Sequence, residues 1–493
     1  MPAHAPRRAA RPHPGRDQPG RPAANRSRTA RPRTDPARRA AYDVLRAVAD
    51  RDAYANLLLP ALLAERGLTG RDASFATELA YGTLRGRGSY DAILAACSDR
   101  DDIDPPVRDV LRLGAHQLLA TRVGDHAAVA TSVDLAKDVC GPRPSGFVNA
   151  VLRRVATRDL DSWFQIVAPD RNRDPSGYLA VRYSYPRWIV DAFRDALGPD
   201  AAEIDDALAA GNARPQVVLA LSPGVDGPLP DGERTRWSPY GFRLAGGDPS
   251  PLVASGLAAV QDEASQLAAL ALTRTGVPGQ DKLWLDLCAG PGGKARLLGG
   301  LAAERGARLV AADLHPHRAR RVLDALNRAG GENSAGRESY GVIAADGRQA
   351  PWLPGTFDRV LADVPCSGLG SLRRRPEARW RKAPGDVAEL ASLQRQLLGT
   401  ALDSVRPGGV VAYVTCSPHL AETRDVVLAV AQARDDVTIL DAPAVLAEVP
   451  RLRQADSDDG SRFAQFWPHR HGTDAIFLAL LRRNDSAAAE GAG

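Results

Sequence analysis

The chain has 493 residues, 44% of them hydrophobic, and a formal net charge of +5, which is typical of a globular protein of roughly two to four domains. It has no run of about 18 apolar residues, so we expect no membrane helix, and its basic N-terminus lacks the apolar core of a secretory signal. Its five cysteines form no Cys-x-x-Cys pair, which argues against a disulfide framework and a structural zinc site. We expect a cytoplasmic protein with free thiols and no bound metal.

Residues 1–35 are predicted to be a disordered basic tail. Residues 1–40 contain 11 Arg against two Asp, a net charge of +9, which leaves about −4 for the rest of the chain. The tail is rich in Pro and almost free of large apolar residues, so it cannot bury enough surface to offset its ordering entropy. It is either an arm that attracts RNA phosphates or a solvated low-complexity extension.

Residues 36–157 have the periodicity of an all-helical bundle. Apolar residues recur at helical spacing, as in Val148, Val151, Leu152 and Val155. Pro and Gly pairs between such stripes mark the breaks between helices. A bundle of about 120 residues has the size of one domain.

The next two regions differ in pattern. Residues 160–255 are irregular and rich in Pro and Gly, with one predicted strand at 217–221, so we interpret them as a small α+β linker domain. Residues 256–483 alternate strand and helix patterns, which predicts a parallel sheet with helices on both faces. Residues 484–493 are predicted to be a disordered C-terminal tail, and Gly330–Ser339 an inserted surface loop.

Unusual residues collect where the predicted parallel strands end. These strand ends read Asp286-Leu-Cys-Ala-Gly-Pro-Gly-Gly-Lys294, Asp313, Asp346, Asp363-Val-Pro-Cys366 and Thr415-Cys416-Ser417. In an open α/β sheet, ligands bind outside the carboxyl ends of the strands. The sequence therefore predicts one site, with three of the five cysteines, at this edge of the sheet.

The glycine-rich turn lies between a predicted strand and a predicted helix. Its glycines let the backbone bend tightly and approach a ligand closely. The turn matches neither the dinucleotide fingerprint nor a phosphate P-loop, since Lys294 is followed by Ala295. Asp313 could accept hydrogen bonds from ribose hydroxyls or simply cap the next helix. Asp346 could meet an adenine ring or form an Asx-type turn.

The strand-end thiols have a chemical use beside a carboxylate. A thiolate that adds to carbon 6 of cytosine makes carbon 5 enamine-like, so carbon 5 can attack an electrophilic methyl group before losing its proton and expelling the thiol. The reaction needs a thiolate, an acid near ring N3 and a base for the carbon 5 proton, which Cys416, Asp363 and Cys366 could supply. Lys294, one of only four lysines, would favour the thiolate by its charge. The alternative is buried structural cysteines and a surface lysine.

The segment that follows the Asp363 loop is rich in cations. Its candidate RNA-binding residues are Arg373, Arg374, Arg375, Arg379 and Trp380. Clustered arginines neutralise phosphates, and a tryptophan can stack on a base. The alternative is a solvated charged loop, but the position beside the predicted site favours RNA.

Together these motifs resemble the Sun/Nop2 type of bacterial ribosomal RNA cytosine-5 methyltransferases, particularly members with a NusB-like N-terminal domain. The matching stretches are Val260–Gln266, Asp286–Lys294, Asp363–Cys366, Arg373–Trp380 and Thr415–Ser417. The resemblance implies a Rossmann-like, S-adenosylmethionine-dependent methyltransferase domain of the α/β class. An all-α NusB-like RNA-binding bundle and a small α+β linker domain would precede it.

The resemblance also implies roles for single residues. Cys416 would be the nucleophile, Cys366 would help to release the product, and Asp363 would contact the cofactor or the target base. The residues implied to bind S-adenosylmethionine are Cys288, Ala289, Gly290, Pro291, Gly292, Gly293, Lys294, Asp313, Arg318, Asp346 and Asp363. The linker domain departs from the family, because its strand reads Val218-Leu-Ala-Leu221 where an Arg-Val-Asn strand end is common.

Ribosomal RNA is the expected partner, and three other functions stay open. Another RNA class, such as tRNA, is compatible with the same site. A DNA cytosine methyltransferase would use Cys366 as nucleophile, and the Thr-Cys pair and the helical RNA-type domain argue against it. A non-catalytic RNA-binding assembly factor would not need the intact set of Lys294, Asp363, Cys366 and Cys416.

Overall fold

The computed structural model describes residues 34–224, 229–329, 339–453 and 462–485. The basic tail up to residue 33, residues 330–338 of the predicted insertion and the C-terminal residues 486–493 lie outside the described residues. Within the described stretches, no helix is both long and apolar enough to cross a membrane.

The N-terminal bundle consists of helices packed around one apolar core. They are α1 (Pro36–Arg51), α2 (Ala55–Glu65), α3 (Gly70–Arg85), α4 (Arg87–Cys97), α5 (Pro105–Ala120), α6 (Asp125–Cys140) and α7 (Ser145–Val155). The first helix begins where its sequence predicts, because Pro36 stands at the first turn and the Asp35 carboxylate accepts the N–H of Arg38. The predicted stripe of α7 lies in the core of the bundle. The prediction of an all-helical region is confirmed.

The linker domain combines helices with a small antiparallel sheet. Its elements are α8 (Leu160–Val167), α9 (Pro175–Tyr183), α10 (Arg187–Leu197), α11 (Ile204–Ala210), α12 (Ser250–Ala254), β1 (Val218–Leu221), β2 (Gly232–Arg234), β3 (Gly241–Leu244) and β4 (Ala258–Val260). The strand order is β2-β3-β1-β4. Since β4 pairs with β1, the small sheet extends past the boundary predicted at residue 255. β1 corresponds to the strand predicted at 217–221, whereas β2, β3 and β4 carry too little periodicity to be predicted without their partners.

The C-terminal region is a single sheet covered by helices. Its strands are β5 (Leu283–Asp286), β6 (Arg308–Asp313), β7 (Tyr340–Ala344), β8 (Phe357–Asp363), β9 (Val405–Thr415), β10 (Val437–Leu440), β11 (Ala464–Gln465) and β12 (Phe477–Arg483). Its helices are α13 (Glu263–Arg274), α14 (Gly293–Glu304), α15 (Pro316–Ala329), α16 (Pro384–Ser404), α17 (Arg424–Gln432), α18 (Ala442–Val445) and α19 (Pro468–His471).

The order of strands in this sheet is β10-β12-β9-β8-β5-β6-β7, with β11 beside β12. The five strands from β9 to β7 are parallel, whereas β12 runs antiparallel to β9, β10 and β11. The predicted parallel sheet is confirmed for these five strands, and antiparallel strands extend it at one side.

Successive residues of the central strands face opposite layers. Trp284 packs in the core with Leu298 of α14, and its neighbour Leu285 packs in the other core with Leu398 of α16. Side chains alternate across a strand, so a sheet with helices on both faces needs apolar residues at every position. Both faces are thus filled, and the carboxyl edge is left for polar chemistry.

Candidate active site

Four neighbouring parallel strands bring the predicted site residues together. Asp286, at the end of β5, lies between Leu361 of β8 and Ala311 of β6, and Asp363 lies opposite Val414 of β9. The strand order β9-β8-β5-β6 therefore sets the thiol of β9, the carboxylate of β8, the glycine turn and the carboxylate of β6 in a row along one edge.

The sulfur atoms of Cys366 and Cys416 lie 3.1 Å apart. Either thiol can donate this hydrogen bond; with Cys366 as the donor it lowers the pKa of Cys416 against the opposing effects of burial and Asp363, and Lys294 assists the lowering. The same hydrogen bond raises the pKa of Cys366 well above its usual value, as does burial. These directions favour Cys416 as the thiolate of the pair and Cys366 as the protonated thiol.

Lys294 and Asp363 form an ion pair beside these thiols. The Lys294 Nζ donates to Asp363 Oδ2 at 2.8 Å, and the lysine side chain is only 13% exposed. Burial opposes the charge on Lys294, but the adjacent Asp363 carboxylate outweighs burial and raises its pKa. The site thus holds a positive charge next to Cys416 in surroundings with little water.

A buried glutamate that sequence reasoning missed ties the two cysteine loops together. Glu422 is fully buried and accepts hydrogen bonds from the N–H and Oγ of Ser367, from Ser417 Oγ and from Gln394 Nε2. Ser367 follows Cys366 and Ser417 follows Cys416, so one carboxylate sets the separation of the two sulfurs. Glu422 stands six residues after Cys416, and no local pattern marks it.

The glycine turn closes against the end of β6. Asp313 Oδ2 accepts the N–H of Gly290 at 3.0 Å, and the Arg318 guanidinium donates to the carbonyl oxygen of Gly290 at 2.6 Å. A Cβ on Gly290 would lie 2.3 Å from Asp313 Oδ2, so this position needs glycine. Gly292 has φ +112°, which also favours glycine.

A carboxyl group to which the sequence analysis gave no role, that of Asp286, lies under this turn. Asp286 is fully buried, and neither of its oxygens has a hydrogen-bond partner among the described residues. Burial, helped by the nearby Asp363, raises its pKa to about 8. Buried polar atoms without partners mark a place where a ligand can complete the hydrogen bonding. Together with the glycine cradle and Asp313, they fit S-adenosylmethionine, which carries an ammonium group and ribose hydroxyls.

Asp346 lies at the end of β7, farther along the same edge. Its carboxylate accepts hydrogen bonds from the backbone N–H and the guanidinium of Arg348, which lower its pKa to about 2. The turn is the Asx-type arrangement that the sequence left open as an alternative. The predicted contact with adenine stays a prediction.

The cationic segment, predicted to bind RNA, is mostly buried in contacts within the protein. Arg373 is buried and pairs with Asp262 and Asp474, and Arg374 pairs with the same two carboxylates. Asp262 and Asp474 lie more than 90 residues away on either side, so the sequence could not show that these arginines are already neutralised.

Arg379 is fully buried and donates to Ser184 O, Tyr185 Oη and Gly211 O of the linker domain. Trp380 is half-buried, and a Cβ on Gly88 of the bundle would meet its ring at 2.6 Å. These side chains join the three regions of the chain, so Arg379 is occupied by protein acceptors, and its predicted contact with RNA stays a prediction. Of the predicted set, Arg375 is exposed.

Comparison with known proteins agrees with this geometry. The NusB family matches residues 35–157, and the family described as 16S rRNA methyltransferase RsmB/F matches residues 275–482. A solved structure described as PH0851 covers 91% of this chain and 99% of its own, with a TM-score of 0.71 at 21% identity, which shows a common fold. The fold and the site define a Rossmann-like methyltransferase that depends on S-adenosylmethionine.

Two relatives extend the match over nearly the whole chain. A protein of Mycobacterium tuberculosis strain H37Rv, named as a methyltransferase, is 52% identical over 463 residues, which is 91% of this chain and 97% of the relative. Ribosomal RNA small subunit methyltransferase B of Pseudomonas putida is 34% identical over 467 residues, 90% of this chain and 98% of the relative. The chain belongs to the RsmB/F family of methyltransferases, and the predicted Sun/Nop2-type resemblance with a NusB-like N-terminal domain is confirmed.

Proposed function

We propose that the protein transfers a methyl group from S-adenosylmethionine to carbon 5 of a cytosine in RNA, with ribosomal RNA as its substrate. The observation that carries the proposal is the 3.1 Å approach of the Cys366 and Cys416 sulfurs beside the Lys294–Asp363 ion pair. Two sulfurs of unequal pKa next to a fixed cation suit a covalent reaction that needs both an attacking thiolate and a second thiol. Ribosomal RNA is supported by the name of the Pseudomonas putida relative.

The cofactor would be held along the strand ends. The residues from Cys288 to Lys294 would cradle its methionine part, and Asp313, with Arg318 holding the turn in shape, would accept hydrogen bonds from the ribose hydroxyls. Asp346 would lie by the adenine. When bound, S-adenosylmethionine supplies the electrophilic methyl group.

Cys416 would begin the reaction as a thiolate by forming a bond to carbon 6 of the cytosine. A proton held between Lys294 and Asp363 would pass to ring N3, and carbon 5 would become nucleophilic and take the methyl group as the bond between this group and the sulfur of its donor breaks. Because Cys416 is then uncharged, the pKa of Cys366 falls, and Cys366 loses its proton to water. Cys366 takes the proton from carbon 5, the bond from Cys416 to carbon 6 breaks, and N3 returns its proton to the ion pair.

Two substitutions test this scheme. Cys416→Ala should abolish both methyl transfer to 16S ribosomal RNA and covalent capture of RNA, measured with radiolabelled S-adenosylmethionine and on denaturing gels. Cys366→Ala should accumulate the protein–RNA adduct, because release is impaired. Cys140→Ala, which removes a thiol of the bundle, is the matched control and should behave as the wild type. Turnover by the Cys416 variant would overturn the proposal.

Mapping 5-methylcytosine in cellular RNA, with and without the protein, separates the remaining alternatives. Loss of sites in tRNA alone would transfer the activity to that RNA class. Methylation of DNA but not RNA would assign a DNA enzyme. Binding of S-adenosylmethionine without transfer to any nucleic acid would indicate a non-catalytic assembly factor.

A further inference from the structure

A cleft lies where the helical bundle, the linker domain and the methyltransferase domain meet. It encloses about 440 Å³, within the range of roughly 300–1,000 Å³ found for small-ligand sites. We call it the interdomain cleft. The lining side chains that matter here are Asn56, Tyr81, Arg85, Arg214, Arg373 and Arg374.

The interdomain cleft carries an excess of positive charge. The two arginines contributed by the methyltransferase domain are balanced by carboxylates, but Arg85 and Arg214 form no ion pair within the described residues, and Arg85 Nε is buried without a hydrogen-bond partner. Glu78 also lines the cleft, and its carboxylate, 3.6 Å from His116 Nε2, interacts electrostatically with both Arg85 and Arg214. Two arginines and one carboxylate leave a net positive charge in a confined space, which favours an anionic ligand.

The other groups in the interdomain cleft suit a nucleotide better than a free anion. The Arg85 guanidinium lies 5.7 Å from the centroid of the Tyr81 ring. Aromatic rings of this kind provide platforms on which bases stack. Asn56 lines the cleft, and its buried Oδ1 has no hydrogen-bond donor among the described residues, so a rotation of this side chain would let the oxygen accept a hydrogen bond from a base edge. Phosphate, base face and base edge thus each have a counterpart.

The interdomain cleft is also close to the candidate active site along the chain. The N–H of Gly370 donates to the carbonyl oxygen of Cys416 at 2.8 Å. Arg373 lines the cleft and follows three residues later, so its Cα lies within about 11 Å of that of Gly370, at about 3.8 Å per peptide link. A nucleotide near the one being modified can span such a distance.

We propose that the interdomain cleft holds a nucleotide of single-stranded RNA next to the target cytidine, with Arg85 and Arg214 on its phosphate and Tyr81 on its base. The inference rests on the proposed function, because it needs an RNA substrate. It also gives a reason for the buried contacts of Arg379, since a cleft with walls from three regions keeps its shape only if these regions stay fixed relative to one another.

The charge reversal Arg214→Glu tests the assignment. Its matched control is Arg71→Glu, an exposed arginine of α3 that does not line the interdomain cleft. The probe is a short oligouridylate with one central cytidine, and its Kd is measured by fluorescence anisotropy over a range of salt concentrations. Arg214→Glu should weaken binding about tenfold and reduce the salt slope by about 1, because one phosphate contact is lost. Arg71→Glu should change neither, and thermal melts check that both variants are folded.

A cross-link gives a positive readout that does not depend on folding of a variant. The uridine beside the cytidine is replaced by 5-iodouridine, the complex with the wild-type protein is irradiated, and the cross-linked peptide is sequenced. We expect the cross-link at Tyr81. Equal effects of the two charge reversals on RNA binding, or cross-links confined to peptides outside the cleft, would overturn the inference. If the wild-type protein still methylated RNA, the proposed function would stand. A wild-type protein that methylates no RNA would overturn both.

Discussion

Glu422 offers the sharpest test of how the two thiols are positioned. Glu422→Gln keeps the size of the side chain but replaces one acceptor oxygen, so two of the four hydrogen bonds to Ser367, Ser417 and Gln394 lose their acceptor. A buried hydrogen bond to a charged group contributes about 1.5–3 kcal/mol, and rotation of the serine hydroxyls toward the new amide recovers part of it. We expect destabilisation by about 2–4 kcal/mol, which a domain of ordinary stability survives.

The effect of Glu422→Gln on catalysis should exceed its effect on cofactor binding. The glycine turn follows a different strand from the two cysteine loops, so affinity for S-adenosylmethionine should stay near that of the wild type. In contrast, kcat should fall roughly 10- to 100-fold, because displacement of a reacting group by about 1 Å lowers the rate by that factor. The negative charge of Glu422 also contributes to the raised pKa of Cys366. Its removal should therefore shift alkylation of Cys366 by iodoacetamide to lower pH, measured by mass spectrometry.

The exposed Glu389→Gln of α16 is the matched control for the same chemical change. It should leave stability, kcat and the alkylation profile unchanged. If Glu422→Gln lowered stability but left both kcat and the pH profile of Cys366 as in the wild type, Glu422 would be a purely structural residue, and the reasoning on thiol positioning would be refuted.

Two further predictions concern buried charges. Arg379→Met should lower the free energy of unfolding by about 3 kcal/mol, because three buried acceptors lose their donor. The control Arg375→Met should change this free energy by less than about 0.5 kcal/mol. The two variants are compared by the midpoints of their unfolding in urea. Asp286 has a pKa of about 8 when folded, against about 3.9 when unfolded, so between these values the folded state binds the extra proton and stability falls as pH rises. Asp286→Asn should remove that part of the slope, and an unchanged slope from pH 5 to 9 would contradict the raised pKa.

The sequence by itself determined the class of fold and the edge of the sheet where the chemistry lies. Buried parallel strands are recognisable in a sequence as continuous apolar runs, and the residues that follow such strands lie at one edge of the sheet. Asp313, Asp363, Cys366 and Cys416 could therefore be assigned to one site from the sequence alone. The glycine turn could be assigned as well, because its backbone requirement is local.

Only the tertiary structure decided which charged groups are free and which are already paired. Arg373 and Arg379 belong to a cationic run that looks exposed in the sequence, but partners from distant elements bury them. Glu422 is an ordinary glutamate in the sequence, and its four donors become visible only when α16 and two strand ends pack around it. Periodicity reports which face of an element is apolar, whereas ion pairing and burial depend on contacts between residues far apart in the chain, which no local pattern contains.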